Sequence, residues 1–169
     1  MQNLMKTFMA NESKAKEGQW CDFDKSFGFE HDGEKFFTRF LLKHASVTNG
    51  PYYDMVQRLS KKFITRKGKN KASVEQAMDV EVRAFCSHVL VTWENFEEAR
   101  PSFKEGAIKK HGKPILEYSY DTAIDIMKSC PELFQMLLEW AQEPGNFNQF
   151  GEAEKKPLVA DSGNTFPKS

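Results

Sequence analysis

Cys86, Ser87 and His88 stand side by side, and with Cys21 and His111 they are the residues whose types could hold a metal ion or arm a nucleophile. The surrounding pattern predicts a helix here, with Cys86 on its apolar stripe and His88 about 200° further round. The two cannot readily turn to one tetrahedral ion. Cys86 therefore reads as a small buried hydrophobe, and no metal site is expected. A serine or cysteine nucleophile would need a base, an orienting acid and an oxyanion loop, and no glycine-rich elbow accompanies any candidate. Glu97 and Glu98 fall in an acidic connection where nothing separates two carboxylates into acid and base. Phosphate-loop and dinucleotide fingerprints are absent. The expectation is a protein without enzyme activity or cofactor.

The run from Lys61 to Lys71 carries six basic residues, Lys61, Lys62, Arg66, Lys67, Lys69 and Lys71, and could grip phosphates. Phe63 is its sole aromatic, and the helical stripe claims it. The chain as a whole is neutral, so a solvated helix end is the better reading and nucleic acid is not an expected partner. Charge is nevertheless uneven: residues 1 to 72 hold 14 Lys and Arg against 8 Asp and Glu, and the rest hold 10 against 16. Such a dipolar chain could self-associate or dock on a complementary surface, although the two halves can equally neutralise each other within one fold.

These residues must be carried by a modest fold. A chain of 169 residues suits one domain, because at that length about two thirds of the unfolded surface can leave water. Three widely spaced cysteines argue against a disulfide framework and for a reducing compartment. No signal-type apolar region and no bilayer-length apolar run is visible, so a soluble, intracellular protein is expected.

The pattern predicts a mainly α fold, a helical bundle with an N-terminal β-hairpin, α+β by strict count. Residues 1–18 read as a flexible arm or a short helix, and 19–150 as the single domain. Period-two spacing of Cys21, Phe23, Phe27 and Phe29, the Asp32-Gly33 turn and a return strand with Phe36, Phe40 and Leu42 on one face give the hairpin, 20–42. Pro51 opens a helix to about 66, carrying Tyr52, Met55, Leu59 and Phe63, which Gly68 stops. Ser73 and Gln76 form a capping box. Behind it Val74, Met78, Val82, Phe85, Val89 and Trp93 predict one long helix, 74–93, whose core stripe ends at Trp93. Residues 97–118, punctuated by Pro101, Gly106, Gly112 and Pro114, read as a long connection. Helices at 120–129 and 131–142 follow, and 151–169 reads as a disordered tail.

Fifteen Phe, three Trp and seven Met are a large apolar set for such a domain. Aromatics and Met suit partner surfaces, which points to an interaction protein. The helix ending in "VLVTWENFEE", the step "GKPILEYSYDTAIDIM" and the turn "CPELFQMLLEWAQEPGNF" together resemble the tail assembly chaperones of bacteriophages with long non-contractile tails. The matching elements are Val89 to Trp93, the acidic Glu94 to Glu98, Gly112 to Ile115, Thr122 to Met127, Pro131 to Phe134 and Asn146-Phe147. The resemblance spans roughly residues 20 to 150, with the loop from Asn95 to Gly112 longer than usual.

That resemblance implies a non-enzymatic protein of the host cytoplasm, absent or scarce in the mature virion. It would bind the helical, apolar tape-measure protein, keep it soluble and help recruit the tail-tube protein, possible homo-oligomer formation included. Related chaperones often have a longer, frameshifted form. The alternatives are a structural tail-completion or connector protein and a small nucleic-acid-binding regulator. Apolar residues left over once each stripe is assigned to the core are the candidates for partner contact: Phe37, Leu41, Phe96, Phe103, Trp140, Phe147 and Phe150. Each could instead cap the edge of the bundle.

Overall fold

The computed structural model describes residues 12–22, 27–61, 73–100 and 108–148. In chain order they form α1 (Glu12–Glu17), β1 (Gln19–Asp22), β2 (Gly28–His31), β3 (Glu34–Phe37), β4 (Arg39–Leu42), α2 (Gly50–Ser60), α3 (Val74–His88), β5 (Leu90–Glu94), β6 (Ile108–Lys110), β7 (Lys113–Ile115), α4 (Tyr120–Ser129), α5 (Pro131–Gln142) and a 3-10 turn, Pro144–Phe147. The strands make three small antiparallel sheets, β1-β4-β5, β2-β3 and β6-β7. At 51% helix and 24% strand among the described residues, the fold is an α+β mix. The expected mainly α bundle with a single hairpin is thus corrected.

The largest departure is at Trp93. Helix α3 stops at His88, and the segment expected as its last turns is strand β5. Val89 and Trp93 are four residues apart, and residues so spaced share a face in a helix and in a strand alike. The spacing therefore could not separate the two. What decides is the β-branched run Val89, Val91, Thr92, stiff in a helix and suited to a pleated surface, together with a partner: Phe40 pairs with Trp93, Leu41 with Thr92, and a bulge between Leu41 and Leu42 brings Leu42 opposite Leu90.

One face of the three-stranded sheet is the core face. Cys21, Phe40 and Trp93 form a row across it and pack on Val82, Phe85, Cys86 and Val89 of α3 and its cap, Ala123, Ile124 and Met127 of α4, and Phe134, Leu137 and Leu138 of α5. Phe85 meets Phe134 edge-on at 5.4 Å. The indole Nε1 of Trp93 donates to the Leu116 carbonyl at 2.7 Å, so burial leaves no polar atom of this ring unpaired. Burial pushes the Cys86 thiol up to about 12 and the Cys21 thiol higher still, so neither ionises near neutrality.

The local signals behind the helices hold. Ser73 and Gln76 form the reciprocal capping box, Ser119 caps α4, and Pro131 opens α5. Helix α2 is described to Ser60, with its expected continuation to 66, Gly68 and most of the basic run outside the described residues, as is the tail 151–169. Within the segment read as an arm or a short helix, residues 12–17 form α1, and the His44 amide donates to the Ala15 carbonyl at 3.2 Å.

The expected hairpin is two ladders. Asp22 pairs with Arg39, while Gly28 pairs with Phe37, and between the two ladders Thr38 N donates to the Phe27 carbonyl at 3.1 Å. The connection 97–118 also contains a hairpin, turning at His111 and Gly112, both with left-handed φ (52° and 72°). Its His111 ring stacks on Phe36 at 3.9 Å and lies 6.0 Å from the His31 ring. The acidic stretch, expected to emerge into water, adds an edge to β7 instead: Glu98 N donates to the Pro114 carbonyl and Leu116 N to the Phe96 carbonyl, each at 2.8 Å. Glu98 is 3% exposed and is held by Arg100 through Nε at 2.8 Å and Nη2 at 2.7 Å. Bidentate pairing is what makes a buried carboxylate tolerable there.

Candidate functional site

A cleft of about 860 Å³ lies among α1, β5 and the entry to α2. Its wall is α1, through Glu12, Ala15 and Lys16. The floor is Lys43, His44, Leu90 and Val91, and the far lip is the entry to α2 with the end of α3, from Thr48 to Pro51 and Cys86 to His88. Four separate stretches of chain meet, and Asn49 joins two of them. Its Nδ2 donates to the carbonyls of His44 and His88, both at 3.1 Å, while its Oδ1 accepts from Tyr52 N at 3.3 Å and so caps α2. Tyr118 closes one end, its hydroxyl donating to the Leu90 carbonyl at 3.1 Å.

The cleft combines apolar floor with positive charge. Lys16 is engaged by Glu12 at 2.6 Å, but Lys43 makes no ion pair among the described residues, and neither does Arg58 nearby on α2. Both press on His88, whose imidazole is held below its ordinary range first by burial, then by the charges of Lys43 and Arg58. The buried His44 is lowered by desolvation, opposed by the Gln142 carbonyl and the Glu143 carboxylate. Near neutral pH both rings are therefore uncharged, and the fixed charge at the mouth is cationic. Exposed apolar side chains stand beside it. Val47, 74% exposed, precedes Thr48 on the lip, and Tyr120, 40% exposed, has its hydroxyl 3.3 Å from Ser87 Oγ. Unneutralised lysine, apolar floor and exposed aromatic rim are what a docking surface for another chain requires.

None of the described residues picked from sequence lines this cleft. Phe147, taken as a surface contact, is fully buried, 4.8 Å from the His44 ring and 5.5 Å from Trp140. Trp140 and Phe96 are half-buried and seal the core, Phe96 edge-on to Trp93 at 5.5 Å and Phe40 at 5.4 Å. Phe37 and Leu41 are half-buried on two different ladders. Phe103 and Phe150 lie outside the described residues. Among the described candidates Trp140 and Phe147 meet, while Phe37, Leu41 and Phe96 belong to other elements.

What sequence reading missed is Lys43, Asn49, His88, Val91 and Tyr118. Only Asn49 carried a local signal, as the residue before a helix-opening Gly-Pro. The others are brought together by the pairing of β4 with β5, residues some fifty positions apart, as Leu41 with Thr92 shows. No group of three or more His, Cys, Asp or Glu that could hold a metal ion occurs among the described residues, and no helix among them is long and apolar enough to cross a membrane. No family model, no curated protein and no solved structure matches the chain.

Proposed function

We propose that this chain is a tail assembly chaperone of a phage with a long non-contractile tail, binding the apolar, helical tape-measure protein and keeping it soluble until tail-tube subunits assemble around it. The observation that carries the reading is the cleft: an apolar floor with an unneutralised cationic mouth, beside exposed Val47 and Tyr120. Such a surface suits transient capture of another chain. The ordered resemblance from Val89 to Phe147 supplies the identity of the client, and its elements belong to one packed unit, with Trp93 bonded to Leu116 and Phe147 seated on Trp140.

The test is co-expression with the tape-measure protein of the same genome. A soluble tape-measure protein that co-purifies with this chain is the expected result, together with absence or scarcity of the chain in purified virions by mass spectrometry. Stoichiometric presence in the virion would make it a structural component instead. A complex with duplex DNA at low salt that dissolves steeply with added salt would make it a nucleic-acid-binding regulator.

A further inference from the structure

We propose that His31 and His111 together bind one divalent transition ion of the zinc or nickel class, clamping the β6-β7 turn onto the β2-β3 hairpin. The inference stands apart from the chaperone reading, and neither residue lines the cleft. Three observations carry it. The first is separation. His31 ends β2 and His111 sits at the turn between β6 and β7, yet their ring centroids are 6.0 Å apart. A metal–nitrogen bond of about 2.0 to 2.1 Å puts the centroid of a ligating imidazole about 3.2 Å from the ion, so two rings on one ion have centroids about 4.5 to 6.4 Å apart as the angle at the ion opens from about 90° to about 180°. The observed pair falls inside that range, towards its wide end.

The second observation is orientation. Asp32 Oδ2 lies 3.3 Å from His31 Nε2 and draws the ring proton to that nitrogen, while Nδ1 and Cε1 face the other hairpin, each 3.3 Å from where a Cβ on residue 112 would stand. Glycine at 112 is what lets the His31 ring come so close. A carboxylate on the far nitrogen is the arrangement that orients metal-ligating histidines. The His111 ring is steadied by Phe36, stacked at 3.9 Å, and by Phe29 at 6.5 Å, and no hydrogen bond or ion pair occupies its nitrogens among the described residues.

The third observation is the placement of His111. Its φ of 52° is a conformation that glycine adopts freely and an L side chain only at a cost, and its ring is half-exposed, so core packing does not repay that cost. Charge does not select the ion: Asp32 and Glu34, the cross-strand partner of His31, favour a cation, and Lys110 and Lys113 beside the turn oppose it. Imidazole coordination must therefore do so, which favours borderline ions over magnesium or calcium. With two protein ligands, water completes the coordination shell.

The experiment uses the full chain carrying Cys130→Ser, which removes the exposed thiol as a competing ligand, titrated calorimetrically with Ni²⁺ and Zn²⁺ and followed by thermal melts. One equivalent should bind, and a hundredfold excess over Kd should raise the thermal midpoint by about 5 to 10 °C; Mg²⁺ should do neither. His31→Gln and His111→Gln should each abolish the rise, and Asp32→Asn should weaken binding by about tenfold. Midpoints without metal show whether each variant is folded, and His111→Asn, suited to the left-handed turn, serves if His111→Gln is not. Undiminished binding in either histidine variant overturns the inference, as does a failure of both ions to bind or an equal response to Mg²⁺. Half an equivalent accompanied by dimer formation overturns it too, because the ion would then join two copies. None of these outcomes alters the expected capture of the tape-measure protein, so the two readings fail independently.

Discussion

Val89 and Val91 stand one residue apart where α3 gives way to β5, yet they serve opposite sides of the molecule. Val89 is fully buried among Phe85, Leu90 and Trp93, in a region where the polar indole nitrogen has its acceptor. Val91 is half-buried and looks into the cleft beside Lys43 and His88, two groups without a carboxylate partner among the described residues. The first side is complete in itself and decides whether the chain folds. The second is incomplete and decides what it meets. Residues that matter for stability and residues that matter for binding thus lie within two positions of each other, and substitutions on the two sides should have effects of different size and kind.

The largest effect is expected on the core side. Phe85→Ala removes a ring with no exposed surface and should cost about 3 to 5 kcal/mol in urea unfolding; a loss under about 1 kcal/mol would show that α3 does not hold the core. Phe147→Ala should cost a comparable amount of about 3 kcal/mol, since it empties the space between His44 and Trp140. If that variant instead unfolds like the parent and loses its client, Phe147 belongs to the binding side after all. On the boundary between the two sides lies Asn49. Its replacement by Ala removes a helix cap and two donations to carbonyls, for an expected loss of about 1 to 3 kcal/mol. A smaller loss would mean that the lip of the cleft is held by packing alone.

Acidification probes the same boundary through the histidines. His44 and His88 are both lowered by burial in the folded chain, so between their folded values and about 6.5 the unfolded chain binds more protons than the folded one. Stability is therefore fully present above about pH 6.5 and falls as pH drops through that window. Thermal midpoints recorded from neutral to mildly acidic pH should decline, and His88→Gln should flatten the decline. An unchanged slope would show that His88 is solvated and the cleft wider than described. The smallest effect belongs to Lys43→Gln, which should alter stability by less than about 0.5 kcal/mol while weakening co-purification of the tape-measure protein. A large destabilisation would move Lys43 to the core side of the comparison.

How much of this the sequence discloses depends on the range of the signal. The capping box at Ser73, the proline opening α5 and the Asp32-Gly33 turn are contained within a few residues, and they mark the starts of α3 and α5 and the turn of β2-β3 correctly. Strand β5 is not legible, because its decisive partner is β4, and the Val89-to-Trp93 spacing is the same under both periods. The hairpin β6-β7 is hidden by its own turn, where His111 rather than glycine or asparagine takes the first left-handed position. Glu98 reads as a solvated acid because the arginine that buries it acts only after the chain folds back on β7. The cleft is the least legible of all, since its parts come from four stretches whose meeting is a consequence of the sheet. Leftover aromatics, by contrast, point inward: Phe96, Trp140 and Phe147 have no place in any periodic stripe because they close the ends of elements rather than line them.

Asn49 has a further consequence, in the ageing of the molecule. It precedes Gly50, and at an Asn-Gly step the unhindered glycine nitrogen can attack the side-chain amide, expelling ammonia and leaving aspartate or its isomer after hydrolysis. In the folded protein the amide is held by two carbonyls and by the α2 cap, so the reaction is confined to the unfolded chain. Once it has happened, the donor has become a carboxylate facing the His44 and His88 carbonyls, and the lip cannot reform. Asn49→Asp should consequently be more damaging than Asn49→Ala, although aspartate caps helices as well as asparagine does, and time spent unfolded should leave a growing fraction that never refolds.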